Sequence, residues 1–173
     1  MIIDVFNHFM PKPYLDRLMQ IIPGHVATTA FPRLKTLVDI DARLRLLDGF
    51  DGMQQVLSLA NPPLELIGGP DVTAELARIA NDSLAEVCRK HPDRFPTFIA
   101  ALPMNDIEAT LREIDRAIRD LGARGVQIFT NVAGKPLSAR EFRPVFARMA
   151  THNLPIWIHP MRGPNFPDYA SET

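Results

Sequence analysis

The sequence of 173 residues is 46% hydrophobic and carries a formal net charge of −1, which predicts one soluble domain with a single sizeable core. This balance argues against a disordered tail and against a nucleic-acid-binding protein. The single cysteine, Cys88, excludes a disulfide within the chain and favours a reducing compartment. No apolar run approaches the about 20 residues that a membrane span needs, and the first residues lack the features of a signal peptide, so we expect a cytoplasmic protein without a membrane partner.

Short apolar or β-branched runs alternate with helical patterns along the chain. Strands are predicted at residues 2–6, 53–59, 97–102, 125–129 and 154–158. These runs are not cleanly amphipathic, which is typical of parallel strands that helices cover. Right-handed crossovers place the carboxyl ends of such strands on one side, so one rim is expected to gather His8, Asn61, Asn105, Asn131 and His159.

The segments between the strands have helical periodicity. Helices are predicted at residues 14–22, 39–50, 72–87, 107–121 and 142–149. The fourth of these follows the candidate cap Asp106 and ends before Gly122, which favours a carboxyl-terminal cap. Ser138 and Glu141 have the spacing of a capping box for the last helix. Segment 23–38, which is rich in small residues, is predicted to form a lid over a site.

Two of the predicted strands lead into a histidine. His8 follows the first strand and His159 follows the fifth. Imidazole is a common metal ligand, and the carboxyl ends of parallel strands hold the active sites of α/β barrels. A strict period of two would place Asp4, Phe6 and His8 on one face of the first strand and Asn7 on the other. The sequence therefore predicts a metal or substrate site between the two strand ends.

Four motifs stand in a fixed order along the chain: Asp4-x-Phe6-x-His8, Ala100-Ala101-Leu102-Pro103, Gly125-Val126-Gln127-Ile128 and Ile158-His159-Pro160. With the helical segment 43–48, they resemble the amidohydrolase superfamily, in particular the branch that contains aminocarboxymuconate semialdehyde decarboxylase. The resemblance covers essentially the whole chain. It implies an α/β fold of the (β/α)8 TIM-barrel type, with about five of the eight strands present in one domain, residues 1–173. It also implies a metal-dependent enzyme that decarboxylates, hydrates or hydrolyses a small carboxylated or ring-derived compound, usually with zinc and sometimes with manganese.

The resemblance implies that His8 and His159 are metal ligands. The family has a histidine or a glutamate where this chain has Phe6, and a phenyl ring cannot coordinate a divalent ion. Asp4 is the nearest replacement donor, although it can equally accept a hydrogen bond from a metal-binding imidazole. The loss of one ligand leaves three alternatives: a weaker metal site, a site completed by another donor such as Asp4, or no bound metal.

Three other residues are candidates for binding the substrate. Arg162 follows His159 on the same loop, where its guanidinium can pair with a carboxylate or can simply be a solvated surface group. Asn131 follows the fourth strand and can bind substrate or cap a turn. Arg33 lies where the family has an arginine for the substrate carboxylate, and it can equally be a solvated residue.

The leading hypothesis is a metal-dependent lyase or hydrolase of which this chain supplies the His8 and His159 half. Five strands would leave two unpaired edges, so we expect either a homo-oligomer or completion by further polypeptide. A rival hypothesis is a non-catalytic or truncated barrel fragment that acts as a binding or assembly partner. A third is a five-stranded doubly wound domain with strand one in the middle, against which stands the absence of a glycine-rich loop after the first strand.

Overall fold

The computed structural model describes residues 2–161. Its strands are β1 Ile2–Phe9, β2 Met53–Leu59, β3 Ala100–Ala101, β4 Val126–Phe129, β5 Asn131–Val132, β6 Lys135–Pro136 and β7 Ile156–His159. Its α-helices are α1 Lys12–Ile21, α2 Val26–Thr29, α3 Lys35–Val38, α4 Ile40–Leu47, α5 Pro70–Lys90, α6 Ile107–Arg119 and α7 Arg143–His152. Single turns of 3-10 helix lie at Phe31–Arg33, Leu64–Leu66 and Arg140–Phe142. The alternation of strands and helices confirms the predicted fold class.

Five of the strands form a parallel arc in chain order. β1 pairs with β2, and β4 pairs with both β3 and β7. Backbone hydrogen bonds join the two groups, because Leu57 N–H donates to the Thr97 carbonyl and Ile99 N–H donates to the Leu57 carbonyl. The resulting order β1-β2-β3-β4-β7 is that of five consecutive strands of a (β/α)8 barrel. Within residues 2–161 β1 lies at an edge, so the doubly wound alternative with strand one in the middle is wrong.

The helices pack on the outer face of the arc. Val126 and Ile128 from β4 lie in one buried cluster with Ile114 of α6 and Val145 of α7. α6 begins as predicted, because the Asp106 side chain accepts a hydrogen bond from Ala109 N–H. These contacts fix the central strands and leave their carboxyl ends at one rim. None of the helices within residues 2–161 combines the length and the hydrophobicity that a membrane span requires.

Two local predictions are wrong. The capping box is absent, because Ala139 precedes the 3-10 turn that leads into α7 and makes no side-chain cap, while Glu141 pairs with Lys135 at 2.7 Å. Strands β5 and β6 form a short antiparallel hairpin that the sequence pattern did not predict, with Gly134 in its turn at a φ of 88°. This hairpin follows β4 directly and lies at the rim where the site is expected.

Segment 23–38 contains more regular structure than a loop. It is built from α2, the 3-10 turn Phe31–Arg33 and α3. Met10 N–H donates to the Leu37 carbonyl at 2.8 Å, which ties the segment to the end of β1. Its role as a lid stays a prediction.

Candidate metal centre

His8 and His159 meet across the concave side of the arc. Their Nε2 atoms are 3.2 Å apart, and their ring centroids are 5.0 Å apart. Trp157 also connects β7 to β1, since its Nε1 donates a hydrogen bond to the Val5 carbonyl at 2.9 Å. The convergence predicted for these two strand ends is therefore confirmed.

Hydrogen bonds to the other ring nitrogens define which tautomer each imidazole adopts. His159 Nδ1 lies 2.9 Å from the Pro160 carbonyl, which can only accept. His8 Nδ1 lies 2.9 Å from Ser58 Oγ, and the Ser58 hydroxyl donates its single proton to the Asn7 carbonyl at 2.7 Å. Both Nδ1 atoms therefore carry the proton, and in the neutral rings both Nε2 atoms present lone pairs.

Two lone pairs at 3.2 Å repel one another unless a cation lies between or beside them. Two metal–nitrogen bonds of about 2.1 Å each allow ligand nitrogens to be at most about 4.2 Å apart. The observed separation is within that limit. The donor set of His8 and His159 therefore fits a divalent metal ion.

The surroundings of His8 favour its neutral form. Burial, followed by the positive charges of His159 and Arg43, lowers the pKa of His8 from 6.5 to about 4. Metal ions bind the neutral imidazole, so a proton does not compete for His8 near neutral pH.

An irregularity in β1 lies between Asp4 and His8 along the strand. Asp4 faces Gln55 and Asn7 faces Leu57, so three steps along β1 match two steps along β2, as in a β-bulge. The prediction of strict alternation from Asp4 to His8 is therefore wrong. The Asp4 carboxylate accepts hydrogen bonds from Gln55 Nε2 at 3.0 Å and from Phe6 N–H at 3.1 Å. Asp4 as a metal ligand stays a prediction, and within residues 2–161 no three His, Cys, Asp or Glu side chains surround one metal position.

Arg43 on α4 anchors the end of β1 from the outer face. Its Nη1 donates to the His8 carbonyl at 2.7 Å, its Nη2 donates to Asn7 Oδ1 at 3.1 Å, and its Nε donates to Gln55 Oε1 at 2.8 Å. Burial lowers the pKa of Arg43 to about 10, so the guanidinium remains charged at neutral pH. Sequence reasoning missed this role. The available signal was the spacing of four residues between Arg43 and the apolar Leu47, which places the two side chains on one face of α4.

Two phenyl rings lie beside the imidazoles. The Phe6 ring centroid is 5.4 Å from that of His8 and 5.7 Å from that of His159, and the Phe129 centroid is 5.0 Å from that of His159. Phe6 thus contacts both imidazoles from the position where the resemblance implied a third ligand. The site combines two nitrogen donors with aromatic surfaces, a combination suited to a flat ring that carries a charged group.

Two of the three predicted substrate-binding residues, Asn131 and Arg33, lie within the described residues, and neither makes a hydrogen bond to His8 or His159 there. Asn131 Oδ1 accepts from Gly134 N–H at 2.8 Å, and Asn131 Nδ2 donates to the Met161 carbonyl at 3.4 Å, so the side chain serves the hairpin turn. Arg33 is exposed in its 3-10 turn. Arg162 lies outside the described residues. Substrate binding by these three residues stays a prediction.

Comparison with known proteins now gives the family. A family model described as Amidohydrolase matches residues 4–171, so the chain belongs to this family. Among the relatives is γ-resorcylate decarboxylase from a Rhizobium species, which is 37% identical over 161 residues, covering 89% of this chain and 48% of the relative.

Solved structures of similar fold agree with this assignment. A manganese-bound 5-carboxyvanillate decarboxylase from Novosphingobium aromaticivorans is 28% identical with a TM-score of 0.81, over 95% of this chain and 52% of that one. A dihydroxybenzoic acid decarboxylase from Polaromonas, with bound manganese and the inhibitor 2-nitroresorcinol, is 30% identical with a TM-score of 0.75, over 97% of this chain and 50% of that one. The chain spans about half the length of these relatives, and its arc is part of a TIM barrel.

Proposed function

We propose that this chain supplies the His8 and His159 half of a metal-dependent decarboxylase that acts on a small aromatic carboxylate. The observation that carries the proposal is the pair of facing Nε2 atoms, 3.2 Å apart, each with its proton held on the other ring nitrogen. The names of the relatives support decarboxylation ahead of hydration and hydrolysis.

The metal is proposed to be a divalent ion bound by the Nε2 atoms of His8 and His159. Manganese in two similar structures supports manganese ahead of zinc. When bound, such an ion polarises a coordinated oxygen and lowers the pKa of bound water. Ser58 and the Pro160 carbonyl orient the two imidazoles through their Nδ1 protons, as the outer partners of metal-binding histidines commonly do.

Phe6 and Phe129 are proposed to contact the aromatic ring of the substrate. Both rings lie within 6 Å of an imidazole, measured between centroids. A flat apolar ring packs favourably against them, while its carboxylate is directed toward the cationic centre. Because Phe6 provides no metal ligand, the remaining ligands would come from Asp4, from solvent or from the rest of the barrel.

Completion of the barrel by further polypeptide is part of the proposal. The open edge of β1 exposes Ile2, Ile3, Val5 and Phe6, and the other edge exposes Ile158, each by 47% to 63%. Apolar strand edges of this kind are covered or paired in compact proteins. The coverage of about half of each relative supports the same arrangement.

The decisive experiment measures metal content and carbon dioxide release from hydroxylated benzoates by the intact protein. About one manganese or zinc ion per chain is expected, and His159→Ala should lose both the metal and the activity. Removal of a ligand should lower the metal affinity by more than about 10–100-fold, the loss that is typical when a supporting partner of a ligand is removed. His25→Asn is the matched control, because His25 only caps α2 through Nδ1, a role that asparagine can take. Full activity in metal-free protein would contradict the proposal.

The second candidate function, a non-catalytic assembly partner, is favoured by the exposed edges and by Phe6. It predicts a stable complex without metal. Light scattering coupled to size exclusion separates the candidates when it is combined with the metal assay: a defined complex that binds no metal supports the assembly role. A complete barrel with stoichiometric metal supports the enzyme.

A further inference from the structure

A small cavity lies where β2, β3 and β4 end. Its volume is about 10 Å³, room for about one water molecule. The lining includes Leu59, Ala101 and Phe129 and is apolar except for two side chains, Glu65 and Gln127. Neither polar side chain contributes to the candidate metal centre.

Each of these two residues has a buried oxygen without a hydrogen-bond partner among the described residues, Oε1 of Glu65 and Oε1 of Gln127. Gln127 is only 5% exposed. Its Nε2 donates to the Leu59 carbonyl at 3.1 Å, which fixes the orientation of the amide and makes Oε1 the unpaired acceptor. An unsatisfied buried acceptor is costly, so the cavity calls for a hydrogen-bond donor.

The size and lining of the cavity determine which donor fits. A hard metal ion binds about six or more oxygens, whereas this cavity offers two unpaired side-chain oxygens. An ionised carboxylate is disfavoured by the apolar lining, in which Glu65 is the only ionisable residue. Burial raises the pKa of Glu65 from 4.5 to about 7, in agreement with this geometric argument.

We propose that Glu65 and Gln127 form a buried acid site that holds one water molecule between a neutral carboxyl group and an amide oxygen. The carboxyl O–H donates to the water oxygen, and the water donates one proton to Gln127 Oε1. These bonds use both unpaired oxygens and leave no charge in the apolar lining. A water with two or three polar partners in a cavity of this size is typical of buried sites.

The site lies next to the metal centre but is separate from it. Gln127 and Phe129 are two residues apart on β4 and so share one face, and the Phe129 ring is 5.0 Å from the His159 ring. The Phe129 ring, which lines the cavity, therefore lies between the Glu65 carboxyl group and the histidine pair. This inference goes beyond the proposed decarboxylase, because it requires neither metal nor substrate.

Infrared spectroscopy of the intact protein tests the inference. The carbonyl band of a protonated carboxylic acid is expected in mildly acidic solution and should disappear as the pH is raised above neutrality. Glu65→Gln should abolish this band, and the control Glu108→Gln, at an exposed position in the first turn of α6, should retain it. A spectrum of the unmutated protein without a titrating acid band would overturn the proposal even if Glu65→Gln failed to fold.

A high-resolution crystal structure of the intact protein tests the bound water. One water is expected within hydrogen-bond distance of both Glu65 Oε1 and Gln127 Oε1, and Gln127→Leu should remove it. A dry cavity in the unmutated protein would overturn the proposal. Neither result depends on the metal assay, so failure of the acid site and failure of the proposed decarboxylase are distinguishable.

Discussion

The centre of the arc and its two edges differ in how they are held. Val126 and Ile128 of β4 are completely buried, whereas Ile2 of β1 is 63% exposed and Ile158 of β7 is 52% exposed. The histidine pair belongs to the exposed edges. Dense packing therefore stabilises the central strands β2, β3 and β4, while a few polar contacts fix the geometry of the candidate metal centre at the edges.

The largest difference between the two regions should appear in stability. Leu57→Ala removes a completely buried side chain from the centre and should lower the free energy of unfolding by about 2–5 kcal/mol. Ile158→Ala removes a side chain that is 52% exposed within residues 2–161 and is covered only by the further polypeptide proposed to close the barrel, so it should cost less than Leu57→Ala. Urea unfolding of the intact protein measures both values. Equal losses would contradict the division into a packed centre and a loosely packed edge.

Arg43 joins the two regions, so its removal should affect both stability and the metal site. Arg43→Met leaves acceptors on His8, Asn7 and Gln55 without their donor and should cost about 2–4 kcal/mol. Metal affinity should fall about 10–100-fold, as for other supporting partners. Arg45→Met on the exposed face of the same helix is the control. Unchanged metal affinity in Arg43→Met, measured by titration with manganese, would show that the bulge does not need this anchor.

Glu65 should make part of the stability of the centre depend on pH. Its pKa is raised from 4.5 to about 7 in the folded protein, so its contribution is fully present below pH 4.5 and is lost as the pH rises through 7. His8 acts in the opposite sense, because its lowered pKa removes stability as the pH falls from 6.5 to about 4.

A comparison of the wild type with Glu65→Gln isolates the Glu65 contribution. Relative to the wild type, the variant should gain on the order of 1–3 kcal/mol between about pH 5 and pH 8. Denaturant unfolding at a series of pH values checks this slope. A constant difference between the two proteins would mean that Glu65 is ionised throughout.

The smallest effect is expected for the hydrogen bond between His8 and Ser58. Ser58→Ala should cost about 1 kcal/mol in stability, and it should weaken metal binding about 10-fold because His8 Nδ1 loses its acceptor. Ser83→Ala is the control, since the Ser83 hydroxyl only donates to the Ile79 carbonyl within α5. Equal metal affinity in both variants would argue against Ser58 as an orienting residue.

The parallel strands were predictable because their apolar runs are bounded by proline, glycine and asparagine and separated by periodic helices. The meeting of His8 and His159 followed from the same order, since parallel strands with right-handed crossovers share one rim. Only the positions of the strand ends shifted, as for β1, which runs to Phe9 rather than to residue 6.

The parts that could not be predicted depend on partners distant in the chain. The bulge in β1 is defined against Gln55 and Leu57 of the neighbouring strand, which a period of two within β1 cannot show. Arg43 and Gln127 are polar side chains that resemble surface residues until the packing buries them. Tertiary contacts therefore determine the conformation and the burial of these residues, and the local sequence pattern does not show them.

The central claim, that His8 and His159 share one divalent ion, is tested most directly by pulsed electron paramagnetic resonance of the manganese-loaded intact protein with isotopically labelled histidine. The account predicts coupling of the manganese to two histidine nitrogens, and loss of the bound manganese with this coupling in either His8→Ala or His159→Ala. Bound manganese without histidine coupling would contradict it.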